Sequence, residues 1–341
     1  MEKLYYAVKN KDEDIRLKSS SGGVFDLLCR NVYGNGGVVY GAIIDKEQNV
    51  VHYRSENISD IDMFKGSKYT QSKLNDTFKK VREDLEENRN VLFSGTPCQV
   101  QALKNYLKDD IQDRLILVDI VCHGTPQKKY YDDYKKMLEK KYHGKITKIN
   151  FRYKGNKKDS KYTGFGMKKN GPVQSQYNMY VEFDNRKSYI MSSEFDIYYQ
   201  LYDYMVSKAC FECPFTNLNR NSDITVGDFH EFSSKLGKFN DAKGVSLVIL
   251  NTKKGLEIFE KLKPNIYYES KKENECIQPQ LTKPLKKPKK YDDFVSDYDK
   301  FGFEYVAKKY TSNNTKFKIK KMLYRLGLLG TIKNIKGKNY E

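Results

Sequence analysis

The sequence predicts an α/β fold: mixed sheets with a βαβ core around the Cys98 and Cys122 loops, an antiparallel β insertion, and a basic helical C-terminal tail. Three observations carry that prediction. NVLFSGTPCQV, a helical face of Val100, Leu103 and Leu107, and LILVDIV follow one another within about 30 residues, the order and length of a βαβ unit. KINFRY, MYVEF and SYIM, between Lys145 and Ser193, alternate in the manner of half-buried strands. From Phe301 onward, ten Lys or Arg stand against Glu304 and Glu341.

The elements follow in chain order. Leu4 to Ala7 is a short strand. KSSSGG then precedes the apolar-periodic run Val24, Phe25, Leu27, Leu28 and Val32, which predicts a loop and a helix with Ser at its cap. GNGG ends that helix. VVYGAII is β-branched and aromatic between turn residues, and VVHYRSE is its hairpin partner. Asp60 to Lys65 is a short helix, and Leu74 to Glu87 a surface helix with a charged outer face. Val91 to Ser94 is a buried strand. LILVDIV is almost continuously apolar, as a parallel strand covered on both faces is. Asp132 to Tyr142 and Phe195 to Met205 are helical. ITVGDF and VSLVILN are buried strands, KKGLEIFEKLK is a helix, and Pro279 to Lys290 is a Pro- and Lys-rich linker. The domains expected are 1–144, an N-terminal α/β cofactor domain; 145–278, with the β insertion and the CxxC loop; and 279–341, the basic linker and tail.

Composition excludes several classes. Hydrophobic residues make up 38% of 341, enough for a core, so global disorder is excluded. The charged start MEKLYYAVKNKDED lacks the apolar centre of a signal peptide, and no stretch approaches the roughly 20 apolar residues of a membrane span. A cytoplasmic location is therefore expected. Six Cys are too few for a secreted disulfide scaffold and point instead to metal or redox chemistry. The net charge of +18 favours an anionic partner.

Four cysteines form a constellation. The strands of a βαβ unit end on one edge of the sheet, where ligand sites of open α/β sheets form. Cys98 and Cys122 lie just past those ends, on neighbouring strands about 4.8 Å apart. Cys210-Phe-Glu-Cys213-Pro adds a C-x-x-C turn. Together they make a ligand set for a [4Fe–4S] cluster or a Zn²⁺ ion. One knuckle with two isolated Cys in Gly- and Pro-flanked loops, and Pro after the last Cys, favours iron–sulfur. Cys29 sits on an apolar helical face and reads as core. Cys276 lies in a charged stretch without a partner. SSSGG opening a helix is a candidate anion cradle. Lys68, Tyr69, Gln71 and Ser72 of KGSKYTQS are of the types that bind a pyrophosphate and stack a ring. GTPCQ and CHGTP let backbone approach a planar cofactor closely. His123 and His230 are candidate proton donors.

The ordered set SSSGGVF, KGSKYTQS, FSGTPCQVQAL, DIVCHGTP, ACFECPF and SDITVGDFHE resembles the coenzyme F420 hydrogenase/dehydrogenase beta-subunit family over residues 17–251. The resemblance implies an FAD and a [4Fe–4S] cluster close together, electrons passing between them, and hydride exchange with a deazaflavin or another organic acceptor. It implies that Cys98, Cys122, Cys210 and Cys213 ligate the cluster. Ser21, Gly22, Gly23, Lys68, Tyr69, Gln71, Ser72, Thr96, Gln99, His123 and Gly124 then lie at or near the flavin, with Asp228 close to the same centre. The ferredoxin-like Cys-rich module with which many relatives begin is missing, so the resemblance implies that electrons come from an external ferredoxin-like partner or from reduced cofactor directly. Relatives of this shorter kind often occur beside surface-polysaccharide enzymes, which implies a small or sugar-linked substrate. The alternative is a basic binding or scaffold protein without redox activity, stabilised by zinc on the same four cysteines.

Phe317, Ile319, Met322, Leu323, Leu326 and Leu329 share most of one helical face, ringed by Lys316, Lys320, Lys321, Lys333 and Lys336. That pattern suits peripheral contact with a membrane surface, docking to an acidic partner, or packing on the domain itself. No nucleic-acid motif accompanies the charge, so nucleic acid is not an expected partner.

Overall fold

The computed structural model describes residues 2–108, 113–155, 178–229, 234–241 and 243–326. The chain forms two compact units. One comprises residues 1–125 and 207–286, the other 126–206 and 287–341. The sequence-based boundaries at 144 and 278 follow local pattern and composition, whereas these follow strand pairing between segments far apart in the chain.

The first unit is built on an eight-stranded mixed sheet. Its strands are β1 (Leu4–Asn10), β2 (Val38–Ile44), β3 (Val50–Ser55), β4 (Val91–Gly95), β5 (Leu115–Ile120), β9 (Ile224–Asp228), β10 (Ser246–Leu250) and β11 (Ile266–Lys271). Their order is β11-β1-β10-β9-β5-β4-β2-β3. β2, β4, β5 and β9 are parallel; the strands outside them pair antiparallel. The expected βαβ unit is there: β4 and β5 are parallel neighbours, with Gly95 opposite Asp119, joined through the Pro97–Leu107 helix. Val91, Leu92, Phe93 and Val118 are fully buried, as central parallel strands require.

Helices cover both faces. Leu27, Leu28, Cys29 and Val32 of the Val24–Gly34 helix pack with Ile258, Phe259 and Leu262 of the Lys253–Leu262 helix on Val39, Leu92, Val118 and Val248. Val100, Leu103 and Leu107 join Val81 and Leu85 on the other face, over Val38, Tyr40, Phe93 and Leu117. Asp223 fastens the start of β9. Its backbone N–H donates to Leu117 O (2.8 Å), and its carboxylate accepts from Leu117 N–H (2.9 Å) and Thr252 Oγ1 (2.6 Å).

Two local expectations change. Gly23, not a serine, caps the Val24–Gly34 helix, because the chain enters it at φ +79°, a left-handed conformation that glycine adopts without strain. Cys276 is buried beside Tyr5, Val121 and Leu281. The hydrogen bond from Tyr5 Oη to Glu273 (2.7 Å) holds that turn against the sheet.

The second unit carries the antiparallel sheet, β6 (Ile146–Asn150), β7 (Asn178–Phe183) and β8 (Ser188–Ser192), in that order. Helices Lys128–Tyr142, Tyr291–Phe301, Phe303–Tyr310 and Thr315–Arg325 belong to it. The expected Phe195–Met205 helix is two single turns, Ile197–Gln200 and Tyr202–Met205. The core is aromatic: Tyr130, Tyr131, Tyr134, Phe151, Phe195, Tyr198 and Phe294 are fully buried. Asp196 sits among them, accepting from Tyr134 Oη and Tyr189 Oη (both 2.7 Å) and from Tyr198 N–H (2.9 Å). Of the tail, the Thr315–Arg325 helix is described and residues 327–341, with Leu329, Lys333 and Lys336, lie outside the described residues. No described helix is long and apolar enough to cross a membrane.

Candidate functional site

β2, β4, β5 and β9 are parallel, so their C-terminal ends share one edge of the sheet. The register carries that edge from Gly95 and Asp119, across Ile120 and Val226, to Asp228 opposite Ser246 and Ser246 opposite Val8. The loops after β1, β4, β5 and β9 therefore emerge together. They are SSSGG, GTPCQ, CHG and the end of VGDF.

SSSGG is fastened down by backbone and serine hydrogen bonds. Asn10 N–H donates to Gly22 O (2.8 Å), Gly22 N–H to Ser246 Oγ (2.9 Å) and Ser21 Oγ to Val245 O (2.7 Å). A Cβ on Gly22 would lie 2.3 Å from Val8 O and 2.7 Å from Ser246 N, so only glycine lets the loop lie this close to β1 and β10. The loop meets KGSKYTQS through Ser20, whose Oγ accepts from Ser67 N–H (2.6 Å) and contacts Ser67 Oγ (2.9 Å). Lys68 turns inward, its ammonium donating to the carbonyls of Met63, Phe64 and Lys65 (3.1, 2.9 and 3.1 Å). Gln71 is exposed and Tyr69 half-buried.

A polar relay then joins KGSKYTQS to GTPCQ. Gln99 Nε2 donates to Ser72 Oγ (3.0 Å), Ser72 lies 2.9 Å from His52 Nδ1, and His52 Nε2 lies 3.1 Å from Ser94 O. A carbonyl only accepts, so Nε2 carries the proton and Nδ1 accepts from the Ser72 hydroxyl. Gln99 Oε1 accepts from Thr96 N–H (2.9 Å), and Thr96 Oγ1 is 3.0 Å from Cys98 Sγ. His52 is 7% exposed and stacks on Phe93 with ring centroids 5.3 Å apart. Burial, helped by the nearby Lys68 charge, lowers it to about 4, against the opposing bond to Ser94 O. A lone His in a strand gave no signal of this role.

All four cysteines are free thiols; Cys98 is exposed and the other three are half-buried. Cys122 lies within electrostatic reach of Cys98, Cys210 and Cys213. The C-x-x-C segment is a 3₁₀ turn over Lys208–Glu212, joined to the CHG loop by Ser207 N–H donating to Thr125 O (3.2 Å). Burial pushes the Cys122 thiol up to about 12, opposed by the Gly124 N–H that it accepts; Gly124 takes φ +83°. Burial also raises Cys213, opposed by Phe215 N–H and by the Arg220 charge.

Arg220 and Asp119 are a buried pair that sequence reasoning missed. They are 3.7 Å apart, with side chains 2% and 1% exposed. Arg220 Nη1 also donates to Phe215 O (3.1 Å), tying the C-x-x-C-P-F segment to the strand that leads into Cys122. An Arg in a run of Asn, and an Asp inside an apolar strand, reveal such a pair only once β5 and β9 are known to be neighbours.

In number and type, Cys122 and the three free thiols within its electrostatic reach match the donor set of a thiolate-held centre. Among the described residues, no three His, Cys, Asp or Glu side chains are drawn together as a ligand shell. Asp228 ends β9 at the same edge, its carbonyl accepting from Gln278 Nε2 (2.6 Å). His123 stands beside Cys122, and His230 lies outside the described residues.

No curated protein matches this chain. Among solved structures it is similar to a chain of the F420-reducing [NiFe] hydrogenase complex from Methanosarcina barkeri, with 16% identity, 91% of this chain and 90% of that chain covered, and a TM-score of 0.49. The family model for the C terminus of the coenzyme F420 hydrogenase/dehydrogenase beta subunit matches residues 88–275. That span runs from β4 through the four cysteines and the VGDF strand to β11, and by it the chain belongs to the coenzyme F420 hydrogenase/dehydrogenase beta-subunit family of oxidoreductases.

Proposed function

We propose that this protein is an iron–sulfur flavoprotein oxidoreductase. Cys98, Cys122, Cys210 and Cys213 are the ligands of a [4Fe–4S] cluster. Ser21, Gly22, Gly23, Lys68, Tyr69, Gln71, Ser72, Thr96, Gln99, His123, Gly124 and Asp228 form or border an FAD site. The hydride partner is a deazaflavin of the F420 type or another organic molecule, and the electron partner is an external ferredoxin-like protein.

The observation that carries this reading is that Cys122, at the sheet edge where SSSGG and, through Ser72 and Gln99, KGSKYTQS also meet, lies within electrostatic reach of the free thiols of Cys98, Cys210 and Cys213. Bound there, the two groups supply one-electron transfer and hydride chemistry. The chain's own residues supply position. Gly124 and Phe215 N–H groups and the Thr96 hydroxyl offer hydrogen bonds to three of the sulfurs. Arg220 brings positive charge to Cys213 and holds the C-x-x-C-P-F segment. The Ser72–Gln99–Thr96 relay sets the spacing between the KGSKYTQS and Cys98 loops.

Anaerobic purification followed by iron, sulfide, zinc and flavin assays tests the reading. About four irons and one FAD per chain are expected, and Cys122→Ser or Cys213→Ser removes the iron from a folded protein. Zinc without flavin overturns the proposal in favour of a binding protein stabilised by zinc on the four cysteines.

A further inference from the structure

The second unit holds a cavity of about 500 Å³ between the Lys128–Tyr142, Phe303–Tyr310 and Thr315–Arg325 helices and the Ile197–Gln200 turn. Its size is that of a small-molecule site. The walls carry Lys140, Lys141, Lys308, Lys318 and Lys321 against a single carboxylate, Glu304, while Met137, Ile197, Ala307 and Phe317 supply an apolar floor.

The charge balance within this cavity is uneven. Glu304 is taken by Lys140 (2.8 Å). Lys321 donates to Phe195 O (2.7 Å), a neutral carbonyl. Lys141, Lys308 and Lys318 have no carboxylate partner among the described residues. Lys141 and Lys321 are held below the usual lysine range by burial first and by the Arg325 charge second, and Lys141 also acts on Lys321. The one acidic group that opposes this is Asp196, already bonded to Tyr134 and Tyr189. Lys141, Lys308 and Lys318 are exposed around the mouth of this space and Lys321 is half-buried, so like charges facing one concavity raise its positive potential and repel one another. An anion offsets that cost. Asn313 and Ser312, at the start of the 11-residue Thr315–Arg325 helix, line the same cavity, where the helix dipole adds to the field.

We propose that this cavity binds an anionic, phosphate-bearing ligand, with Lys141, Lys308, Lys318 and Lys321 meeting the phosphate and the apolar floor meeting its organic body. The site belongs to the second unit and is independent of the flavin and cluster reading. A free phosphate ester and a lipid headgroup present the same chemistry, and the experiment separates them.

The test uses the full chain at about 0.15 M salt, where exposed charges are screened beyond about 8 Å. Pyrophosphate binding is followed by calorimetry, and co-sedimentation is measured with vesicles of phosphatidylcholine alone and with phosphatidylglycerol added. The variants are Lys141→Gln with Lys321→Gln, the charge-keeping Lys141→Arg with Lys321→Arg, and Lys79→Gln as an exposed control. Circular dichroism checks that each is folded. Pyrophosphate binding that falls at least about tenfold in the Gln pair, and survives in the Arg pair and the control, supports the proposal. If anionic vesicles also bind through the same two lysines and pyrophosphate displaces them, the source is a headgroup; if only pyrophosphate binds, it is a soluble phosphate ester. Absence of binding to either probe, or equal binding by the folded Gln pair, overturns it.

Discussion

Acidification should weaken the His52 relay by an amount that the structure sets. In the folded protein burial lowers His52 to about 4, against an ordinary value of 6.5. Between those values the unfolded chain binds a proton that the folded chain does not, so stability falls as pH falls through the window. A shift of about 2.5 pH units corresponds to roughly 3 kcal/mol once the pH is below both values, with about 2 kcal/mol already lost at pH 5. Above about pH 7.5 the contribution is flat. The proton must go to Nδ1, because Nε2 already donates to Ser94 O. Ser72 then faces two donors, His52 and Gln99, and its own hydrogen must turn away. His52→Phe removes the titration while keeping a ring over Phe93. Urea unfolding of both proteins at pH 8, 6.5, 5.5 and 5 isolates the effect, because the other ionisable groups are common to both. The wild type should lose about 2 kcal/mol more than the variant between pH 8 and pH 5. Parallel stability curves for the two proteins would refute a neutral, buried His52.

Two further outcomes follow from close contacts. Gly22→Ala places a Cβ against Val8 O and Ser246 N, both backbone atoms with little freedom to move, and should cost about 1–3 kcal/mol in denaturant unfolding. An unchanged midpoint would mean that the SSSGG loop does not lie against β1 and β10 as described. Asp84→Ala strips the partner from Arg54, bound at 2.9 and 2.7 Å, and from the buried Tyr40 hydroxyl. It should lower stability by about 3 kcal/mol in the same assay, with Asp84→Asn costing less because it keeps an acceptor.

The sequence by itself determined the local elements and one long-range relation. Apolar runs marked β4 and β5, and the residues 96–114 between them, with one helical face, forced a parallel crossover. Cys98 and Cys122 therefore had to share an edge. The identity of the six motifs and their order also marked the family, because motif residues carry their chemistry wherever the chain goes. Only the tertiary structure decided what came to meet that edge. β9 follows β5 by more than 100 residues, and nothing in ITVGDF names its neighbour, since any buried strand offers the same backbone pattern. That pairing brings Cys210 and Cys213 to Cys122, sets Arg220 against Asp119, and divides the chain at 125 and 207. His52 was equally illegible, because its role rests on Ser72 and Ser94, which approach it from two other segments. The basic cavity arises in the same way: its lysines come from three helices, and sequence charge alone does not distinguish a solvated face from cations gathered around one space. Periodicity reports which face of an element is buried, while contacts between distant segments depend on how the faces of all the elements are satisfied together.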